Sequence, residues 1–195
     1  MKNLNTAKKS VLGNMIIRQT MGGTRKEDKI KDKDELIERI KEEYAKQNSV
    51  ETHVLDLTML DVSKVEDMFN LFLICHGYDL ESIDVSNWDV SNVEDMNGMF
   101  YKCSSLKTLD VSKWNVSNVE NMNCMFAGCS SLKSVDVSNW DVSNVRSMEG
   151  MFYECSSLES IDVSNWNVSN VENMFSMFYK CKFDYKKEGN RLIRI

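Results

Sequence analysis

A repeat with a period of 26 residues constrains this chain more than any other feature. Four tryptophans follow that step, at Trp88, Trp114, Trp140 and Trp166. Four cysteines follow it as well, at Cys103, Cys129, Cys155 and Cys181. An earlier, imperfect copy covers residues 52–75, and a two-residue insertion near His76 separates it from the others. A unit this short buries too little apolar surface alone, so we expect neighbouring units to stack and share a core.

The apolar positions within one unit predict two kinds of local structure. In the third copy they begin with the spacing of a leucine-rich repeat, at Leu106, Leu109, Val111, Trp114 and Val116. Residues 109–112 alternate apolar and polar side chains, which predicts a short strand. A later stripe with steps of three and four predicts helical turns; its members are Val119, Met122, Met125, Phe126 and Cys129. The predicted fold class is an α/β repeat solenoid, leucine-rich-repeat-like, with short parallel strands plus short helical turns.

The two ends of the chain are predicted to cap this solenoid. The expected segments are a basic, disordered tail (1–33), an N-terminal capping helix (34–51), a solenoid of five coils (52–181) and a C-terminal cap strand (182–195). Asp34 is the expected N-cap of the helix. The cap strand is expected to follow a turn at residues 186–190 and to pair residues 193–195 with 161–163, placing Arg194 beside Asp162.

Charge is distributed unevenly along the chain. The 24 Lys and Arg against 30 Asp and Glu give a net charge of −6, yet the first 26 residues carry +6 and the remainder −12. The acidic body argues against nucleic-acid binding through bulk positive charge. The basic head fits either a solvated tail or an organelle presequence. No stretch approaches the roughly 18 apolar residues of a membrane span, so no transmembrane segment is predicted.

The sulfur-containing residues belong to the repeat. Nine of the 13 methionines lie in the helical stripe, where a buried face explains them better than a copper-binding methionine box. The recurring cysteines are expected to be small buried hydrophobes in a reducing compartment, and neither disulfides nor zinc is predicted. Cys124 takes the place held by Gly98 and Gly150 and is expected to be more exposed. The tryptophans are expected to stack in the core, with an exposed ligand strip as the alternative.

Catalytic signatures are missing from the sequence. The two histidines, His53 and His76, lie in no HExxH motif, zinc spacing or nucleophile motif. A dyad of His76 with Cys75 is disfavoured because Cys75 belongs to the cysteine column. We therefore predict no enzyme activity, no catalytic residue and no cofactor.

The polar columns are the candidate site. The outward strand positions that we select as a partner-binding face are Asp84, Ser86, Thr108, Asp110, Ser112, Ser134, Asp136, Ser138, Ser160, Asp162 and Ser164. In a leucine-rich-repeat arrangement these residues line the concave sheet. A row of aspartates repels itself unless hydroxyls, cations or a basic partner relieve it. Three alternatives stay open: a solvated ladder that satisfies turn backbone, a calcium site, or a basic or hydroxyl-rich protein partner.

The unit L-K-S-[IV]-D-V-S-N-W-[DN]-V-S-N-V-x-x-M-x-x-M-F-x-x-C-S-S resembles a known repeat. It is similar to the 26-residue repeat of bacterial surface proteins, common in lipoproteins of wall-less bacteria and related to BspA-like leucine-rich-repeat proteins. The resemblance covers residues 34–181 and implies adhesion to host matrix or to other cells. It favours a surface or secreted location, whereas free cysteines and the lack of an evident signal peptide or lipobox favour the cytoplasm.

Two functional hypotheses follow from these patterns. The first is a non-enzymatic protein-interaction solenoid, adhesin-like or effector-like, that binds an unidentified protein partner through the Ser/Thr/Asp strand face. The second is a structural or regulatory scaffold whose basic N-terminal tail binds nucleic acid or an anionic membrane surface. Compartment, partner and oligomeric state stay open.

Overall fold

A computed structural model describes residues 29–47, 53–75 and 78–195. Its helix, α1, spans Lys33–Gln47. Asp32 caps it, because the Asp32 Oδ1 accepts the Glu35 N–H at 3.0 Å and the Glu35 carboxylate accepts the Lys31 N–H at 3.0 Å. The predicted cap at Asp34 is therefore wrong, since Asp34 lies inside the first turn. The predicted stretch beyond Gln47 and residues 1–28 of the predicted tail lie outside the described residues. The prediction of a disordered tail is wrong for its end, because Ile30 is 3% exposed and its N–H donates to the Asp61 carbonyl at 3.1 Å.

Helix α1 packs across the edge of the first repeat. Leu36 and Ile40 are fully buried, which agrees with the predicted apolar face. The Gln47 side-chain amide donates to the Asp56 carbonyl and accepts the Asp56 N–H, both at 2.8 Å. This amide therefore takes the place of a neighbouring strand and satisfies backbone groups that an edge strand would leave unpaired.

The repeats are numbered here as repeat 1 (52–75), repeat 2 (76–103), repeat 3 (104–129), repeat 4 (130–155) and repeat 5 (156–181). Strands β1 (Val54–Asp56), β2 (Ser82–Asp84) and β3 (Thr108–Leu109) pair in parallel, with Leu55 opposite Ile83 and Ile83 opposite Leu109. These apolar residues are buried while Ser82 and Asp84 stay half-buried, as the alternating pattern predicts. Repeats 4 and 5 contain no strand at the equivalent positions.

A second line of pairing crosses all five repeats. Single parallel bridges connect Asp67, Asp95, Asn121, Ser147 and Asn173 in succession. Alternate N–H groups then donate to the next repeat: those of Met96, Gly98, Phe100 and Lys102 reach carbonyls of repeat 3 at 2.7–2.9 Å. We call this set of bonds the amide ladder. It is the most continuous backbone connection between repeats.

The amide ladder occupies the stripe for which helical turns were predicted. A 3-10 helix, Leu71–Cys75, is present in repeat 1, but consecutive turns replace it in repeats 2 to 5. Gly98 and Lys102 have φ of +62° and +56°, and such left-handed residues interrupt a right-handed helix. A Cβ at Gly98 would also collide with the Asn70 side chain. The helical prediction is therefore wrong for these four repeats.

The core consists of side-chain columns that run from repeat to repeat. The four tryptophans stack with ring centroids 6.5 Å apart and planes within 3° of parallel. Each indole Nε1–H donates to a carbonyl of the preceding repeat at 3.0–3.2 Å. Met122, Met125 and Phe126 are fully buried beside them. Core positions are thus confirmed for the four tryptophans and for eight of the nine repeat methionines, whereas Met174 is half-buried.

The C-terminal segment forms a hairpin. Strands β4 (Tyr185–Glu188) and β5 (Arg191–Arg194) pair antiparallel around Gly189 and Asn190. The predicted single strand and its pairing with residues 161–163 are wrong, because Arg194 lies opposite Tyr185 and its guanidinium sits 5.7 Å from the Phe183 ring. The Asn190 carbonyl accepts the Val168 N–H at 2.8 Å, and the Tyr185 hydroxyl donates to the Ile161 carbonyl at 2.7 Å. These two bonds attach the hairpin to repeat 5.

Candidate partner-binding surface

The aspartates of the predicted face each form the same local turn. We call Asp84, Asp110, Asp136 and Asp162 the carboxylate row. In each residue the Oδ1 accepts the N–H of the serine two positions later at 3.0–3.2 Å and its hydroxyl at 2.7 Å; the donors are Ser86, Ser112, Ser138 and Ser164. Such turns fix the backbone and hold the carboxylate in one orientation.

The second oxygen of each carboxylate remains available. Asp110, Asp136 and Asp162 are exposed and Asp84 is half-buried. Among the described residues, no hydrogen bond reaches the Oδ2 of any of the four. The hydrogen bonds from Ser112 and Ser164 lower the pKa of Asp110 and Asp162 below 3.8. These two residues are therefore ionised at neutral pH.

Three hydroxyls of the predicted face are uncommitted. The side chains of Thr108, Ser134 and Ser160 are exposed, and none forms a hydrogen bond within the described part of the chain. Strand register places Thr108 directly opposite Ser82. The predicted face thus divides into serines that hold the carboxylates and hydroxyls that face solvent.

A second polar column forms turns regardless of charge. Asp89, Asn115, Asp141 and Asn167 each accept the N–H of the serine two positions later at 3.0–3.2 Å. Because amide and carboxylate oxygens make the same bond, this column tolerates an exchange of Asp for Asn. An Asp→Asn substitution in this column therefore serves as a control for the same substitution in the carboxylate row.

A third polar column went unrecognised at the sequence level. The Nδ2 groups of Asn92, Asn118, Asn144 and Asn170 each donate to a serine carbonyl of the preceding repeat at 2.6–2.8 Å. Their recurrence in the VSN motif at the period of 26 was the available signal. These side-chain amides therefore connect each repeat to the preceding one.

The described cysteines are free thiols. Cys129 and Cys155 are buried, and their Sγ atoms donate to the carbonyls of Phe100 and Phe126 at 3.2 and 3.1 Å. Burial raises the pKa of both thiols, and it raises the pKa of Cys181 to about 11. Cys124 is half-buried at its left-handed position, φ +51°, so it is more exposed than the central members of the column.

The two histidines of the chain are His53 and His76. The Nδ1–H of His53 donates to the Asp79 carbonyl at 2.9 Å. His76 and the Cys75 side chain lie outside the described residues. Across residues 29–47, 53–75 and 78–195, no group of three or more His, Cys, Asp or Glu could hold a metal ion. Within the same ranges, no helix is long and apolar enough to cross a membrane.

These features define a tandem-repeat protein whose units pair in parallel and whose polar columns form turns. A family model described as "Mycoplasma protein of unknown function, DUF285" matches residues 38–135 and 102–188. The chain belongs to this family, so the mycoplasma part of the sequence resemblance is confirmed. No curated protein matches the chain. No solved structure matches it.

Proposed function

We propose that this chain is a non-enzymatic, leucine-rich-repeat-like solenoid that binds a protein partner through the carboxylate row and its neighbouring hydroxyls. The observation that carries the proposal is that only one of the two oxygens of each carboxylate accepts hydrogen bonds from the described residues. In four consecutive repeats one oxygen of each carboxylate is held by a serine, and the other accepts no hydrogen bond among the described residues. A surface or adhesin-like role, as in BspA-like proteins, belongs to the same proposal.

The row favours a basic partner. Strands β2 and β3 pair in parallel, and such strands lie about 4.8 Å apart, so the carboxylates of Asp84 and Asp110, which directly follow these pairs, are close enough to repel each other. Serine hydrogen bonds stabilise each charge locally, but they add no counterion. Lys or Arg side chains presented at a similar spacing would neutralise the Oδ2 atoms, and hydroxyls such as Thr108 and Ser134 add hydrogen-bonding capacity.

The same aspartates also stabilise turns, so a useful variant must keep the turn and remove the charge. Asparagine does this, because Asn115 and Asn167 already accept the equivalent serine N–H at 3.2 Å. The test compares the wild type with Asp110→Asn/Asp136→Asn for binding to a synthetic peptide library graded in Lys and Arg content. Asp141→Asn, in the second column, is the matched control.

We expect the wild type and Asp141→Asn to retain basic peptides, and the double variant to lose about tenfold in affinity, equivalent to roughly 1.4 kcal/mol. Binding should weaken as salt rises, because exposed charges are screened. Circular dichroism should be unchanged in all three proteins. Equal binding by the double variant, or no retained peptide, would contradict the carboxylate-row proposal. The scaffold alternative depends on the basic tail (1–33), of which residues 1–28 lie outside the described residues.

A further inference from the structure

The last repeat has an unfilled amide ladder. At the junction before it, the N–H groups of Met148, Gly150, Phe152 and Glu154 donate to carbonyls of repeat 5 at 2.8–2.9 Å. The equivalent N–H groups of repeat 5 belong to Met174, Ser176, Phe178 and Lys180. Among the described residues, none of these four has an acceptor. We call this row of donors the open edge.

The hairpin closes only part of repeat 5. It bonds to Ile161 and Val168, and the Lys187 Nζ donates to the Val171 carbonyl at 2.8 Å; none of these bonds involves the four donors of the open edge. Between the hairpin and the open edge lies a cavity of about 320 Å³, whose lining includes Met177, Phe178 and Tyr185. Apolar side chains and residues of the open edge line the cavity, together with the charged side chains of Asp184 and Lys187.

Two aromatic side chains of repeat 5 are exposed beside the open edge. Phe175 is 73% exposed, and Tyr179 is 51% exposed. The position of Phe175 is polar in the three preceding repeats, where Asn97, Asn123 and Glu149 occupy it. In repeat 1 it is Phe69, which the Lys33 ammonium of α1 covers at 4.8 Å from the ring. A large exposed aromatic beside unpaired donors is typical of a docking surface.

Charge identifies the kind of occupant. Residues 48–179 carry 20 acidic against 6 basic residues, whereas residues 180–195 carry 6 basic against 2 acidic. Lys182 and Arg191 are exposed and form no ion pair within the described ranges. A segment that docks here must therefore offer backbone carbonyls and negative charge.

A second copy of the chain does not meet this requirement. Two open edges placed together would direct N–H groups at N–H groups. At the opposite end, α1 packs across repeat 1 with Leu36 and Ile40 fully buried, and its Lys33 pairs with Asp67 at 3.2 Å, so the helix stands where a second copy would have to dock. We propose that the open edge binds an acidic segment of another polypeptide, which adds its backbone to the amide ladder as repeat 5 adds to repeat 4. This mode resembles strand addition to an exposed sheet edge.

The chain itself supplies a probe for the test. Residues 145–154, VRSMEGMFYE, carry a net charge of −1 and contain no cysteine. Their carbonyls accept the N–H groups of Met122, Cys124, Phe126 and Gly128 at 2.7–3.0 Å. A fluorescent peptide of this sequence is titrated with the full-length protein, and a scrambled peptide of the same composition is the control.

We expect the peptide to bind and the scrambled peptide to bind at least about tenfold more weakly. Phe175→Glu should weaken binding to a similar extent; repeat 4 carries Glu149 at this position, so the fold tolerates the change. Asn97→Glu adds the same charge far from the edge and should leave binding unchanged. Asp110→Asn/Asp136→Asn should also bind normally, which separates this site from the carboxylate row.

Amide exchange tests the donors directly. Peptide binding should slow exchange at Ser176, Phe178 and Lys180, and leave Gly150 unchanged because its N–H already donates to the Phe175 carbonyl at 2.9 Å. No binding at about 1 mM peptide, equal binding of the scrambled peptide, or unchanged exchange at the open edge would each overturn the proposal.

Discussion

Replacing the inner tryptophan Trp140 with leucine should destabilise the protein more than replacing the outer one, Trp166. Both indoles are at least 98% buried, and both donate to a carbonyl of the preceding repeat, at 3.1 and 3.0 Å. Trp140 contacts the rings of Trp114, Trp166 and Phe126, whereas the described ring contact of Trp166 is Trp140. The two variants therefore differ chiefly in aromatic contacts.

The expected magnitudes follow from these contacts. Truncating a buried tryptophan costs about 3–5 kcal/mol, which includes the carbonyl left without its donor. Two additional ring pairs at about 0.5–1.5 kcal/mol each make Trp140→Leu costlier than Trp166→Leu by roughly 1–3 kcal/mol. Urea unfolding followed by far-ultraviolet circular dichroism measures both free energies. An equal or larger loss for Trp166→Leu would refute the stacked-column explanation.

Two further predictions concern the asparagine and cysteine columns. Asn144→Ala should lower the free energy of unfolding by about 0.5–1.5 kcal/mol through loss of its bond to the Ser117 carbonyl. Asn139→Ala, at an exposed position of the same repeat, should leave it unchanged in the same urea titration. Burial raises the pKa of Cys181 from 9.0 to about 11, so the folded protein holds this proton more tightly than the unfolded chain does. Its contribution to stability is complete below pH 9 and is lost as pH rises toward about 11. Cys181→Ser should reduce the pH dependence of the free energy of unfolding between pH 9 and about 11. An unaltered pH dependence would count against this role of the Cys181 thiol.

Periodicity predicted the core because it records which positions recur on the inside. Trp114, Met122 and Phe126 were placed correctly since each neighbouring repeat offers an identical apolar partner. The local backbone was harder to predict. Steps of three and four residues arise in a helix, and they also arise in consecutive turns that contain left-handed residues. Gly98 and Gly150 marked one left-handed position, and Gly128 marked the other, which Lys102 and Glu154 occupy in the neighbouring repeats.

The candidate surface was predictable only in part. The Asp-x-Ser motif located Asp110 and Ser112 on an outward face, yet sequence alone left open whether the carboxylate was free. The bonds to Ser112 show that one oxygen is committed and the other is not. The hairpin was missed because residues 186–188 are all charged and resemble a loop, although they form β4 beside Arg191 and Leu192.

Backbone amide exchange in the free protein tests the central claim most directly, namely that alternate amides connect each repeat to the next. Gly98, Cys124 and Gly150 donate across a junction at 2.8–2.9 Å, whereas the N–H of Ser176, at the same position of repeat 5, has no acceptor among the described residues. We predict strong protection at the first three amides and rapid exchange at Ser176. Rapid exchange at all four, or protection of Ser176 equal to that of Gly150, would contradict the amide ladder.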